Sequence, residues 1–160
     1  MSSAFVRAAF RYELVSAFPL LPVFDTLGVR VDNTALPDLW TALDFIPISE
    51  NAIAIGSPTC YRELGTFRIY VVGKTGAGDA AIIAQADALL AHFRNWRTAA
   101  IRVRGAVPPA PSEFSDGRWL ICAVDISFAH DFYVGEIFVP PIPPVPALGG
   151  FDLGFDGGFE

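Results

Sequence analysis

The chain has very few of the side chains that enzymes use for acid–base or metal chemistry. Its 160 residues include two histidines and two cysteines. Neither His92 nor His130 has a nearby serine or cysteine in a nucleophile-elbow context, and both are expected to be surface histidines. Cys60 and Cys122 are isolated, which excludes the paired spacing of zinc and redox motifs and fits synthesis in a reducing cytosol. Acidic residues are plentiful but scattered: Asp25, Asp32, Asp38, Asp44, Glu50, Glu63, Asp79 and Asp87 show no metal-loop spacing. No catalytic set, metal site or cofactor is expected, and the chain does not read as an enzyme. Long apolar runs are missing too, since none reaches the ~18–20 residues that span a bilayer. The first segment, MSSAFVRAAFRYELV, sets Arg7, Arg11 and Glu13 inside its apolar pattern, so it fits neither a signal peptide nor a membrane span. There is no excess of basic residues. The formal charge of −6 argues against a protein that grips nucleic acid by its phosphates.

Apolar residues, by contrast, make up 52% of the chain and aromatic ones 13%, enough for one domain with a real core. The stretch Leu64–Phe93 shows how that core is organised. Leu64, Phe67, Ile69 and Val71 or Val72 alternate with Thr66, Arg68 and Tyr70, which predicts a strand. Beyond GKTGAG the rhythm becomes helical: Ile83, Ala86, Leu90 and Phe93 fall on one stripe, with Gln85, His92 and Asn95 away from it. Asp79 stands where it can cap that helix.

The turn between them raises the question of phosphate binding. A strand, a glycine-rich loop and a helix N-terminus together form an anion cradle, and Lys74-Thr75 resembles a P-loop ending. The spacing does not match. Arg68 stands where the P-loop has its first glycine, and Ala81 where a dinucleotide fingerprint has its third. A plain strand-to-helix turn is the expected reading, with a nucleotide- or anion-binding enzyme using Gly73–Gly78 as the alternative.

Elsewhere, a first helix is predicted from a Ser2 or Ser3 cap to about Phe18, stopped by Pro19, with Val6, Phe10, Leu14 and Ala17 on one face and Arg7 and Arg11 beside it. A brief strand is expected around Gly28–Val31. Another covers Leu39–Ile46, where Leu39, Leu43 and Phe45 alternate with Trp40, Ala42 and Asp44, and a short separate one covers Ala52–Ile55. Short connections favour antiparallel pairing. After the second helix, Ala100–Gly105 reads as a strand and PPAPSEFSDG as a proline-rich loop. GRWLICAVDISFAH is the clearest strand of all. Leu120, Cys122, Val124, Ile126 and Phe128 form a face destined for the helices. The opposite face, with Trp119 and Ile121, is more apolar than a free surface needs and is expected to meet another subunit.

The character changes near residue 139, so the chain is read as a domain over 1–138 and an extension over 139–160. Pro140, Pro141, Pro143, Pro144 and Pro146 enforce an extended segment that cannot enter a sheet interior. GGFDLGFDGGFE then repeats a Phe–acid pair every four residues. Phe151, Phe155 and Phe159 are expected to anchor this tail on a partner, with a solubilising tail as the plainer alternative.

Arg62, Gly65, the alternating strand, Gly76-Ala77-Gly78, Ala86-Asp87, Phe93, Gly117, Trp119 and Phe128, with Asn33, Pro37 and Trp40 upstream, carry a resemblance. Over roughly Val6 to Asp131 the chain resembles the tail terminator (tail completion) proteins of long-tailed bacteriophages and gene transfer agents. The resemblance implies an α+β fold: an antiparallel or mixed sheet packed by two helices on one side, here with an extended proline-rich C-terminal tail. It implies a structural virion protein of the tail and neck, made in the bacterial host cytoplasm. Such a protein forms a homo-hexameric ring that caps the tail tube protein and meets the head-closure or connector protein. DNA would only pass through the lumen, and no membrane or cofactor is involved. Another neck or tube component of the same particle is a further alternative. After about Phe132 the chain departs from the family pattern.

Overall fold

The computed structural model describes residues 4–25, 36–54, 56, 58–74, 79–113 and 119–133. Among them the elements follow in the order α1 (Ala4–Ala17), β1 (Val23–Asp25), β2 (Leu39–Ala54), β3 (Cys60–Lys74), α2 (Ala80–Arg94), β4 (Ile101–Glu113) and β5 (Trp119–Tyr133). The strands form one sheet in the order β1-β2-β3-β5-β4. β1 runs parallel to β2, and the other neighbours are antiparallel. The fold is therefore α+β with a mixed sheet.

One face of the sheet is dry. Leu43 and Phe45 of β2, Phe67, Ile69 and Val71 of β3, and Cys122, Val124, Ile126 and Phe128 of β5 share a buried cluster with both helices. Phe10 of α1 sits at its centre, with ring centroids 4.5 Å from Phe67, 5.7 Å from Phe93 and 5.5 Å from Phe128. A period of two in the strands meets a period of 3.6 in the helices on this face, where burial supplies most of the stabilisation. The expected apolar face of β5 lies here.

Several details differ from the sequence expectation. In α2 the buried residues are Ile82, Ala86, Leu89, Leu90 and Phe93, so Ile82 replaces Ile83 and the stripe is wider than drawn. The reason is local. Ile82 fills the space above Gly73, where a Cβ would meet its side chain at 2.7 Å. Asp79 holds the N-cap position but makes no side-chain cap bond. In α1, Ala9 rather than Ala17 completes the buried face.

Proline misled the strand boundaries. β2 is one strand running through Pro47, with a register shift between Pro47 and Ser49, and not two separate strands. β4 continues to Glu113, through residues read as a proline-rich loop. Among the described residues both segments lie at an edge. β4 pairs with β5, apart from a single bridge from Arg102 to Arg97, and β1 flanks β2 at Thr41–Leu43. A strand with one open side needs no donor there, so proline is tolerated, especially beside a bulge. The strand expected around Gly28–Val31 lies outside the described residues.

Candidate functional site

The face of the sheet opposite the helices carries the residues singled out as a partner surface. Antiparallel register sets them in rows across β2, β3 and β5: Trp40–Val72–Ile121, Ala42–Tyr70–Ala123, Asp44–Arg68–Asp125 and Ile46–Thr66–Ser127. Among the described residues no helix or second sheet covers this face. Its rows alternate between an aromatic rim and fixed ion pairs. Arg68 donates from Nε and Nη2 to the two carboxylate oxygens of Asp125 at 2.6 and 2.7 Å. Arg62 makes the same two-pronged contact with Asp131. The hydrogen bonds from Arg62 hold the Asp131 carboxyl below its ordinary range, and those to Asp125 and Tyr70 raise the already high pKa of Arg68.

At the rim, Trp40 and Trp119 meet edge to face at 6.2 Å, and Phe24 meets Trp40 at 5.4 Å. The Trp40 indole N–H is closed off from solvent and finds no acceptor among the described residues. Trp119 is half-buried, whereas Ile121 is 8% exposed and offers little surface of its own. The exposed large apolar side chains among the described residues are Val107, opposite Asp125 on this face, and, elsewhere, Leu20 after α1, Ile48 and Ile53 on the outer half of β2 and Tyr133 at the end of β5. Phe151, Phe155 and Phe159 lie outside the described residues.

Residues 75–78 of the glycine turn lie outside the described residues, and Lys74 at its start donates to Asp38 at 2.5 Å. No family model matches the chain. The search of curated proteins returns no match either. A solved structure of a protein bearing no functional name is 26% identical, with a TM-score of 0.47, over 88% of this chain and 99% of that one. At that TM-score the likeness carries no argument.

The histidines take places that sequence reasoning missed. His130 is no surface residue but is 1% exposed on the helix side of β5, with Nδ1 3.5 Å from Oε2 of Glu63, itself 3% exposed. Its ring stacks against Phe5 and Phe132, both at 5.4 Å. His92 is partly buried, and its Nε2 lies 2.7 Å from Glu13, joining α2 to α1. Both cysteines are free and buried, and burial pushes the Cys122 thiol up, away from nucleophilic reactivity. Among the described residues no group of three or more His, Cys, Asp or Glu could hold a metal ion. No helix among them is long and apolar enough to cross a membrane.

A last feature is a cleft of about 350 Å³ between α1 and β2. Leu43, Phe45 and Phe67 line it together with Arg7, Arg11 and Asp44. The Arg7 guanidinium lies 5.1 Å above the Phe45 ring.

Proposed function

We propose that this chain is a ring-forming tail terminator, a structural virion protein that caps a phage-type tail tube and joins it to the head or neck. One observation carries the reading beyond the sequence resemblance. The sheet packs helices on one face and leaves the other, with its aromatic rim, without a covering layer among the described residues. A closed ring needs two different patches on each subunit, because a head-to-tail interface pairs unlike surfaces. The sheet face opposite the helices, with Trp119 half-buried and Val107 exposed, offers one, and the end bearing Ile48, Ile53 and Tyr133 offers the other. Apolar groups in such positions are what an assembling subunit would bury.

The charge arrangement suits a ring around passing DNA. With a net charge of −6 the lumen would not hold phosphates at each step. The test is mass and shape. Light scattering and negative-stain images of the purified protein, alone and with tail tubes, should give a ring of six copies seated on tube ends. A monomer at all concentrations that ignores tubes would overturn the proposal.

A further inference from the structure

We propose that the start of β4 carries a carboxylate-binding site, and that its occupant is the Phe–acid segment of this chain's own C-terminal extension, residues 149–160. A carboxylate of that segment would bridge Arg97 and Arg102, and the neighbouring phenylalanine ring would enter the hollow beside Arg102. The inference goes beyond the ring reading and does not rest on it.

The distribution of charge points to this place. Residues 88–112 hold four of the chain's 11 lysines and arginines and no acid, in a protein of net charge −6. All four, Arg94, Arg97, Arg102 and Arg104, are exposed, and none forms an ion pair or a side-chain hydrogen bond among the described residues. Two of them are set opposite each other. Arg97 and Arg102 form an antiparallel bridge, beside which the Thr98 N–H donates to the Ile101 carbonyl at 3.0 Å. Such a bridge sends both side chains to the same side with Cβ atoms about 4.5–5.5 Å apart, where like charges repel. Asp131 feels the charge of Arg102, yet both of its carboxylate oxygens accept from Arg62, at 2.6 and 2.7 Å. Two guanidiniums held together without a carboxylate of their own form a site for one from elsewhere.

The surroundings suit an aromatic ring. A hollow of about 470 Å³ opens beside Arg102, with Ile53, Ala54, Ala99 and Ala100 among its walls, and Ile53 is 46% exposed. The segment GGFDLGFDGGFE offers a ring beside a carboxylate three times, and from residue 134 onward the chain has no lysine or arginine to compete for it. The extension also starts at the right place. β5 runs antiparallel beside the start of β4, with Ile101 opposite His130 and the Asp131 N–H donating to the Ala100 carbonyl at 3.2 Å. Its last residue, Tyr133, lines the hollow. The linker from Tyr133 to Phe151 spans on the order of 60 Å when extended, and the proline run from 140 to 146 stiffens roughly 20 Å of it, so the remainder can turn back. Arginine without lysine, next to exposed isoleucine and tyrosine, is the composition of a protein-binding surface. A nucleic acid would bring many charges to a protein of net charge −6, whereas the segment brings three.

The test uses the full chain carrying F151S, F155S and F159S as receptor and a labelled peptide of residues 149–160 as probe. Saturable binding is expected, weakening as salt rises. Arg97→Gln with Arg102→Gln in the receptor should reduce affinity about tenfold, the effect of losing one charge-assisted hydrogen bond. A peptide with Asp152→Asn, Asp156→Asn and Glu160→Gln should bind the unaltered receptor about as weakly. It should lose little more on the glutamine receptor, because both changes remove the same contact. Ile53→Ser should weaken the native peptide through the ring. The parent chain should bind the peptide less well than the triple serine variant at any protein concentration, because its own segment competes. If the glutamine receptor fails to fold, the comparison of charged and neutral peptides still decides. Equal affinity for those two peptides, fully additive losses, no saturable binding at millimolar peptide, or duplex DNA held by these arginines in the peptide's place overturns the proposal. None of these results bears on the ring, which is read from mass.

Discussion

Replacing Gly65 by alanine probes the aromatic layer at its tightest point. A Cβ on Gly65 would stand 2.6 Å from Cζ and 2.9 Å from Cε1 of Phe128, and 3.1 Å from the Ile46 carbonyl oxygen. The ring must therefore move. Phe128 is 1% exposed, with centroids 5.5 Å from Phe10 and 5.3 Å from Phe45, so any shift presses on both. Overpacking a filled core costs ~1–3 kcal/mol. Against this, alanine restricts the unfolded chain and contributes ~0.4–1 kcal/mol of stability. The net expectation is a loss of about 1–2 kcal/mol, or a fall in Tm of roughly 3–8 °C for a domain of this size. Thermal melts followed by circular dichroism would measure it, with the near-UV signal reporting the disturbed rings. Gly105→Ala is the control, because a Cβ there meets nothing within 4 Å. The double variant G65A with F128L should lose less than the two single losses combined, since the smaller side chain makes room. A G65A protein that melts at or above the parent temperature would refute the packing argument.

Three further outcomes are expected. Val124→Asp would place an unpaired charge at a position with no exposed surface, costing several kcal/mol against a total near 5–15, and the protein should fail to fold; a soluble variant with unchanged Tm would show the opposite. Lys74→Ala removes an exposed ion pair with Asp38 and should change stability by no more than ~1 kcal/mol, and calorimetry should find no ATP or GTP binding at millimolar concentration; saturable binding lost in this variant would favour the nucleotide-binding enzyme. Asp131→Asn addresses pH. Because Arg62 lowers the folded-state pKa of Asp131, its contribution is complete above the ordinary value of 3.8 and is lost as pH falls through the folded value beneath it. The Tm difference between parent and variant should thus be greatest near neutrality and close in strong acid; a gap that widens there would contradict the sign.

What could be read from the sequence follows from how the sheet is buried. β3 and β5 announce themselves because one face is dry, so apolar residues recur at every second position. The same parity held the signal for the buried pair. His130 continues the series Cys122, Val124, Ile126, Phe128, and Glu63 continues that of Phe67, Ile69 and Val71. The two residues were misread because polar chemistry outweighed position. The proline errors had a different source. Whether proline breaks a strand depends on whether that strand is an edge, and no local window contains that fact. The cleft was out of reach for a similar reason: Arg7 and Arg11 were visible beside the α1 stripe, but only the docking of α1 on β2 brings Arg7 over Phe45.

The register of β3 against β5 determines both faces at once. Arg68 stands opposite Asp125, Thr66 opposite Ser127 and Arg62 opposite Asp131, while Phe67 opposite Ile126 and Ile69 opposite Val124 point into the core. A slip of one residue would turn four charges under the helices and expose the apolar row. Each ion pair is partly exposed and contributes little energy where it stands, yet its burial would cost several kcal/mol per ion. The pairs therefore act on specificity more than on stability. They also shape what the face opposite the helices can meet. Both guanidiniums already hold a carboxylate through two hydrogen bonds, so a phosphate would have to displace Asp125 or Asp131 to bind. A protein surface with its own mixed charges and apolar patches need displace nothing. It can lie on the Trp40–Trp119 rim and leave the ladder intact.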